Sequence, residues 1–269
     1  VAKFLTLNTH SWLGEDPKWA LETLGKQILK ADYDVIALQE INQRIDSAKV
    51  LNTPYTLKNQ HQLHEDNYAL KLVEYLKEHG LTYHFTWAYS HIGYDEYHEG
   101  VALLSKQPFS SEKSVLTSAV DDEYNYHTRR ALIAKTTVAG RELCVVSGHF
   151  SWWKSDFKSE WQRLEQALAD EQAPLVIMGD FNNPENTLGH DLVLASSLGL
   201  KDSHLAAKKV TGGPTILQDI DGWENNDKAL RIDFIFVSQQ LEVKESHVLF
   251  DGKKLPLISD HFGVECVIE

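Results

Sequence analysis

A chain of 269 residues, 42% hydrophobic and 24% charged, has ample apolar material for a large mixed core. Its formal net charge of −13 argues against strong non-specific nucleic-acid binding, which needs a basic surface, although an acidic nuclease with a local basic groove is compatible with it. No window approaches the roughly 18 apolar residues of a membrane span, and Val1 to Leu7 has strand rather than leader character, so a cytoplasmic protein is expected.

Lys3 to Asn8 is strand-like, and Pro17 opens a helix at a first-turn position where proline is tolerated. Leu21, Leu24 and Ile28 share one face of that helix. Asp34 to Glu40 is a second apolar strand. This strand–helix–strand unit is a crossover, and it brings Asn8 and Glu40 to one sheet edge. Asn42 to Asn67, with Pro54, reads as a long excursion loop, and Asn67 to His79 as a helix. Leu81 to Tyr89 is an aromatic strand, His91 to Glu99 a loop dense in Tyr and His, and Gly100 to Ser105 another strand.

Arg129 to Val138 and Glu142 to Ser147 flank Ala139-Gly140 and read as a hairpin ending in Gly148-His149-Phe150. From Asp156 to Glu171, the stripe Phe157, Trp161, Leu164 and Leu168 marks a core-facing helix. Pro174 to Met178 is a short apolar run that delivers Gly179-Asp180-Phe181-Asn182 to its rim. Asp and Asn are also ordinary turn residues, so this stretch alone does not distinguish a turn from a site. A shorter helix follows over Asp191 to Ser197, then a loop from Lys201 to Lys228 that holds Trp223. Arg231 to Ser238 is expected to pair with Val243 to Phe250, and Ser259-Asp260-His261 precedes a last strand. Cys144 and Cys266 sit in separate apolar runs without zinc spacing, as buried free thiols do. No linker or repeat divides the chain, so residues 1–269 read as one catalytic domain.

Asn8, Glu40, His149, Asp180, Asn182 and the Asp260-His261 pair lie at or beside the ends of apolar runs. Asp233 lies between Ile232 and Phe234 and needs a partner if buried; His261, Arg231 or Arg130 could serve. Carboxylates and carboxamides without cysteine suit a hard, oxygen-loving cation, Mg²⁺ or Mn²⁺. With histidines added, the chemistry implied is displacement at phosphorus.

The ordered motifs Leu38-Gln39-Glu40, Ser147-Gly148-His149-Phe150, Gly179-Asp180-Phe181-Asn182, Arg231-Ile232-Asp233-Phe234-Ile235 and Ser259-Asp260-His261 resemble those of the endonuclease/exonuclease/phosphatase superfamily. That resemblance covers nearly the whole chain. It implies an α/β four-layer αββα sandwich, two packed mixed β-sheets flanked by helices, and divalent-metal-dependent phosphoester hydrolysis. It further implies metal ligation by Glu40 with Asn8 and Asp260, an Asp180 that orients or deprotonates the attacking water, and a neighbouring Asn182 that holds the phosphate or the water. Phosphoryl contacts would fall to His149 and His261, with Asp233 fixing the His261 tautomer. Arg130 resembles a phosphate-contacting arginine of some branches. His10 stands where many relatives carry a carboxylate.

Phe4 to Trp12 and His98 to Ala102 resemble a bacterial subgroup that includes maltose 6'-phosphate phosphatase, which implies a small phosphorylated sugar as substrate. Trp12, Tyr89, Tyr94, Tyr97, Trp152, Trp153 and Trp223 are flat side chains suited to sugar faces or bases, and equally to packing. His10, Trp152 and Trp223 join Arg130 as candidate substrate contacts. A nuclease or phosphodiesterase is the alternative, and an inactive binding module the third. Nothing in the sequence indicates an obligate protein partner or a membrane.

Overall fold

The computed structural model describes residues 1–51 and 61–269; Pro54 and part of the expected excursion loop lie outside the described residues. The apolar runs become strands and the amphipathic stretches become helices. In chain order these are β1 (Ala2–Asn8), α1 (Pro17–Ala31), β2 (Val35–Arg44), α2 (Tyr68–Glu78), β3 (His84–Gly93) and β4 (Tyr97–Ser105). Then come β5 (Phe109–Leu116), β6 (Arg130–Val138), β7 (Arg141–His149), α3 (Phe157–Ala167) and β8 (Leu175–Asp180). The chain continues with α4 (Leu188–Leu194), β9 (Leu200–Asp202), α5 (Ser203–Ala206), β10 (Lys209–Thr211), β11 (Asp233–Ser238), β12 (Val243–Leu249) and β13 (Gly263–Ile268).

Two mixed sheets result, ordered β10-β12-β13-β1-β2-β4-β3 and β5-β6-β7-β8-β11-β9. Their facing sides bury one core, with Phe4, Val35 and Leu103 against Leu132, Val145, Met178 and Ile235. Leu24 and Ile28 of α1 and Leu72 and Leu76 of α2 pack on the outer face of the first sheet. Trp161 and Leu164 of α3 and Val193 of α4 cover the second. The four layers thus follow from helix stripes and two-faced strands. No helix among the described residues is long and apolar enough to cross a membrane. Both cysteines are free and buried.

Several expectations change. The strand over 243–249 does not pair with β11; it joins β13 and β10 in the other sheet, while β11 pairs with β8 and β9. Strand propensity cannot assign partners across so many residues. The expected loop over 91–99 is the tip of a hairpin, since β3 and β4 pair as far as Gly93↔Tyr97. Alternating Tyr and His there are two-faced strand residues, not loop residues. The half-exposed β5 carries little hydrophobic signal and went unpredicted. The 201–228 loop contains β9, α5 and β10.

Two local features place the site. β2 runs past Glu40 to Arg44, but its register with β4 slips between Leu38 and Ile41, so Gln39 and Glu40 together oppose Val101. Glu40 takes a left-handed φ of 50° at this bulge, and such bulges re-aim side chains at sheet rims. Gln39 instead turns inward and its Nε2 donates to Ser147 Oγ of the opposite sheet at 3.2 Å. Second, Gly148 and Gly179 are register partners on the parallel β7–β8 pair. A Cβ on residue 179 would lie 1.9 Å from the Gly148 carbonyl oxygen. Gly179→Ala should therefore cost about 3 kcal/mol of stability, read as a lower urea midpoint; an unchanged midpoint contradicts this close approach.

Candidate active site

The parallel pairing of β1 with β2 sets Asn8 beside Gln39, and that of β7 with β8 sets His149 beside Asp180. Antiparallel β8 and β11 set Asp180 directly opposite Asp233. The segment before β13 adds Asp260 and His261. Strand ends from both sheets therefore converge, and Asn8 links the sheets by donating from Nδ2 to Asp180 Oδ2 at 3.0 Å.

Asp180 is 1% exposed. Besides Asn8, its Oδ2 faces His149 Nε2 at 3.3 Å and His261 Nε2 at 3.5 Å. Its Oδ1 accepts the Asn182 backbone N–H at 3.1 Å. Burial alone would raise its pKa, but His261, His149 and the Asn8 amide outweigh it and hold the carboxylate well below its usual range. His261 Nδ1 lies 2.9 Å from Asp233 Oδ2, a contact that puts the ring hydrogen on Nδ1. Burial opposes charge on this ring, yet Asp233 and Asp180 raise its pKa well above 6.5. Burial and Asp180 push Asp233 up to about 6 against the pull of His261, so the pair titrates as a unit. Of the possible partners for Asp233, it is His261 that pairs. Arg231 instead grips Asp202 and Glu185.

Asn182 is held at both ends: Nδ2 donates to the Phe150 carbonyl at 2.9 Å and Oδ1 accepts Trp223 Nε1–H at 2.9 Å. Glu40 and Asp260 both approach His10 Nδ1, at 3.5 and 3.6 Å. This nitrogen is buried without a hydrogen-bond partner. Burial would lower the His10 pKa, but Glu40 and Asp260 raise it to about 9. Burial and Glu40 together raise that of Asp260. Two groups could hold a cation. Asn8, Glu40 and Asp260 form an all-oxygen set, while Asp180, Asp233 and His261 bring ligand atoms within 4.8 Å of one another. In the second group the charges already satisfy each other through His261. In the first, excess negative charge focuses on the point where His10 Nδ1 sits.

A cavity of about 520 Å³ opens over these groups, lined by Glu40, His149, Asp180, Asn182 and His261. Its walls include His91, Glu99, Arg129, Tyr94, Trp152 and Asp221. Tyr94 Oη donates to Asp221 across the rim, and Trp152 packs against Gly222, where a Cβ would lie 2.7 Å from the ring. Trp223 touches the site through Asn182. The other aromatic candidates do not line the cavity: Trp12 packs on Tyr68, Tyr89 and Tyr97 are buried, and Trp153 is 38% exposed.

Arg130 also fails to line the cavity. It is the first residue of β6, and its guanidinium bonds Asp121 at 2.7 Å and the Ser90 carbonyl at 3.4 Å. Its neighbour Arg129 faces the cavity instead, as strand alternation requires of adjacent residues. His91 and Glu99, 3.1 Å apart, were likewise missed as wall residues. The 91–99 periodicity would have shown them on one face, with His98 opposite, stacked on His61 at 3.9 Å. Burial would raise the Glu99 pKa, but His91, His149 and Arg129 hold it at about 2.

The model of the Endonuclease/Exonuclease/phosphatase family matches residues 11–261. The chain belongs to that family. A family protein from Leptotrichia buccalis C-1013-b superposes with a TM-score of 0.88 at 30% identity, covering 100% of both chains. A Bacteroides thetaiotaomicron VPI-5482 mannosyl-6-phosphatase superposes with a TM-score of 0.71 at 18% identity, again over 100% of both. The D. rerio TDP2 structure complexed with single-strand DNA product reaches 0.67 at 16% identity, covering 100% of this chain and 98% of that one. At such identity the last two establish shared fold alone. No curated protein matches the chain.

His10 yields a pH prediction for metal-free protein. Its folded pKa, about 9, exceeds the unfolded value near 6.5. Its contribution to stability is thus complete below pH 6.5 and lost as pH rises through 9. His10→Gln should remove up to about 3 kcal/mol of that fall, seen in urea melts with chelator at pH 6, 7.5 and 9. Parallel wild-type and variant curves contradict it.

Proposed function

We propose that the protein is a divalent-metal-dependent phosphomonoesterase acting on a small phosphorylated sugar such as maltose 6'-phosphate. The observation that carries this reading is the aromatic-walled cavity of about 520 Å³ above Asp180, a volume suited to a small ligand. The rim carries Asp221 and Glu224, acids that repel a polyanion. The reading takes the chain as one catalytic domain working in the cytoplasm without an obligate protein partner.

The donor set of Asn8, Glu40 and Asp260 fits Mg²⁺ or Mn²⁺, because it is all oxygen and a bound cation would take over from His10 as the partner of its two carboxylates. When bound, the ion supplies Lewis-acid neutralisation of charge on a phosphoryl oxygen. The chain's own residues do the rest. Asp180, kept ionised and aligned by Asn8, His149 and the Asn182 backbone, orients water and accepts its proton. His261, its Nδ1–H fixed by Asp233, presents Nε2–H to the phosphoryl group, and His149 faces it from the other side. The Asn182 side chain, clamped by Phe150 and Trp223, helps fix the phosphate position. Trp152 offers a flat face to the sugar.

Phosphate release from maltose 6'-phosphate, other sugar phosphates, bis-p-nitrophenyl phosphate and plasmid DNA should separate the readings. Mg²⁺-dependent release from sugar monoesters, abolished by chelator and without DNA nicking, is expected. DNA nicking without monoester release overturns the phosphatase reading in favour of a nuclease. Glu40→Gln should still fold cooperatively in chelator while activity falls at least about 100-fold. Full activity in that variant removes Glu40 from the metal set.

A further inference from the structure

One wall of the cavity holds three buried polar atoms without a partner among the described residues: Arg129 Nε, His127 Nδ1 and Trp152 Nε1. Arginine and tryptophan nitrogens can only donate. Leaving such donors unpaired costs free energy unless a ligand or ordered water completes them. Arg129 is 4% exposed and is the one Lys or Arg among the described lining residues. The two acids that feel its charge, Glu99 and Glu160, have other partners: Glu99 pairs with His91 at 3.1 Å, and Glu160 accepts the Ser151 N–H at 2.7 Å.

The guanidinium is also pre-positioned. Its carbon lies 5.9 Å from the Trp152 ring centroid, within cation–π range. Its backbone is tied to Ser118, whose Oγ accepts the Arg129 N–H at 2.9 Å, and to Thr117, whose N–H donates to the Arg129 carbonyl at 3.0 Å. Glu99 feels the charges of both Arg129 and His149, and both side chains line the cavity.

From this wall we infer that Arg129, backed by Trp152 and His127, is a specificity determinant that holds the terminal oxygens of a phosphomonoester dianion. The inference rests on the phosphomonoesterase reading and deepens it. A monoester carries three terminal oxygens and close to two negative charges; a diester carries two oxygens and one charge. In a cavity that also carries Glu40, Glu99, Asp180, Asp221 and Glu224, the additional charge and oxygen favour a fixed cation with forked donors, which Arg129 supplies. No bond is made or broken by this residue.

The test compares p-nitrophenyl phosphate with methyl p-nitrophenyl phosphate, which share a leaving group and differ by one esterified oxygen. Relative to wild type, Arg129→Gln should lower kcat/KM for the monoester at least about 20-fold more than for the diester. Arg129→Lys should fall between, since it keeps the charge but loses the fork. An equal loss on both substrates, or no loss, overturns the inference and leaves a structural arginine. A second arm needs no metal. Titration of inorganic phosphate in chelator by calorimetry should show affinity weakened at least about tenfold in Arg129→Gln; unchanged affinity overturns the inference. Thermal midpoints report folding of each variant. If Arg129→Gln does not fold, Arg129→Lys is judged by the same substrate ratio and titration. If wild type hydrolyses no monoester, the phosphomonoesterase reading fails, while the phosphate titration still decides whether Arg129 binds the anion.

Discussion

The site depends on one electrostatic arrangement. Antiparallel pairing of β8 and β11 sets two buried carboxylates, Asp180 and Asp233, directly across from each other. Like charges opposed in a sheet repel, and in a buried setting the repulsion is strong. His261 resolves it by presenting Nδ1 to Asp233 and Nε2 towards Asp180. The imidazole arrives from the segment before β13, which belongs to the other sheet. Charge neutralisation and sheet packing are therefore coupled. Packing of the two layers brings His261 against both carboxylates of the second sheet, and those contacts fix its ring.

A second division runs through the cavity. Negative charge collects at Glu40 and Asp260, where His10 is drawn in. Arg129 and the His91–Glu99 pair line the same cavity as Glu40. A ligand with one hard cation and one anionic group matches both poles at once. Each pole contributes separately: a cation answers the charge of Glu40 and Asp260, and an anion answers the unpaired donors beside Arg129.

Much of this was readable in the residues. Apolar runs ending in polar residues, such as Val176 to Asp180, gave both the strands and the rim, because a buried strand must be hydrophobic on both faces and shows its ends by contrast. Less was readable where two-faced strands alternate polar and aromatic side chains, as from His91 to Glu99. The partner of β12 was beyond local reasoning, since pairing is decided by the whole sheet. Arg130 against Arg129 shows the limit most clearly. A motif identifies a pair of arginines, but which one faces the cavity depends on a one-residue parity that only the register of β6 settles.

The pairing of β1 with β13 also shapes how the protein comes into being. Ala2 lies opposite Ile268 in that ladder, so the strand that presents Asn8 gains its second neighbour from a segment far along in sequence. Contacts this distant in sequence form late and at high entropic cost. Assembly of the candidate active site therefore waits on β13: until that strand has been made and docked, β1 has an open edge, and a chaperone that shields it would protect the part of the molecule most exposed to misassembly.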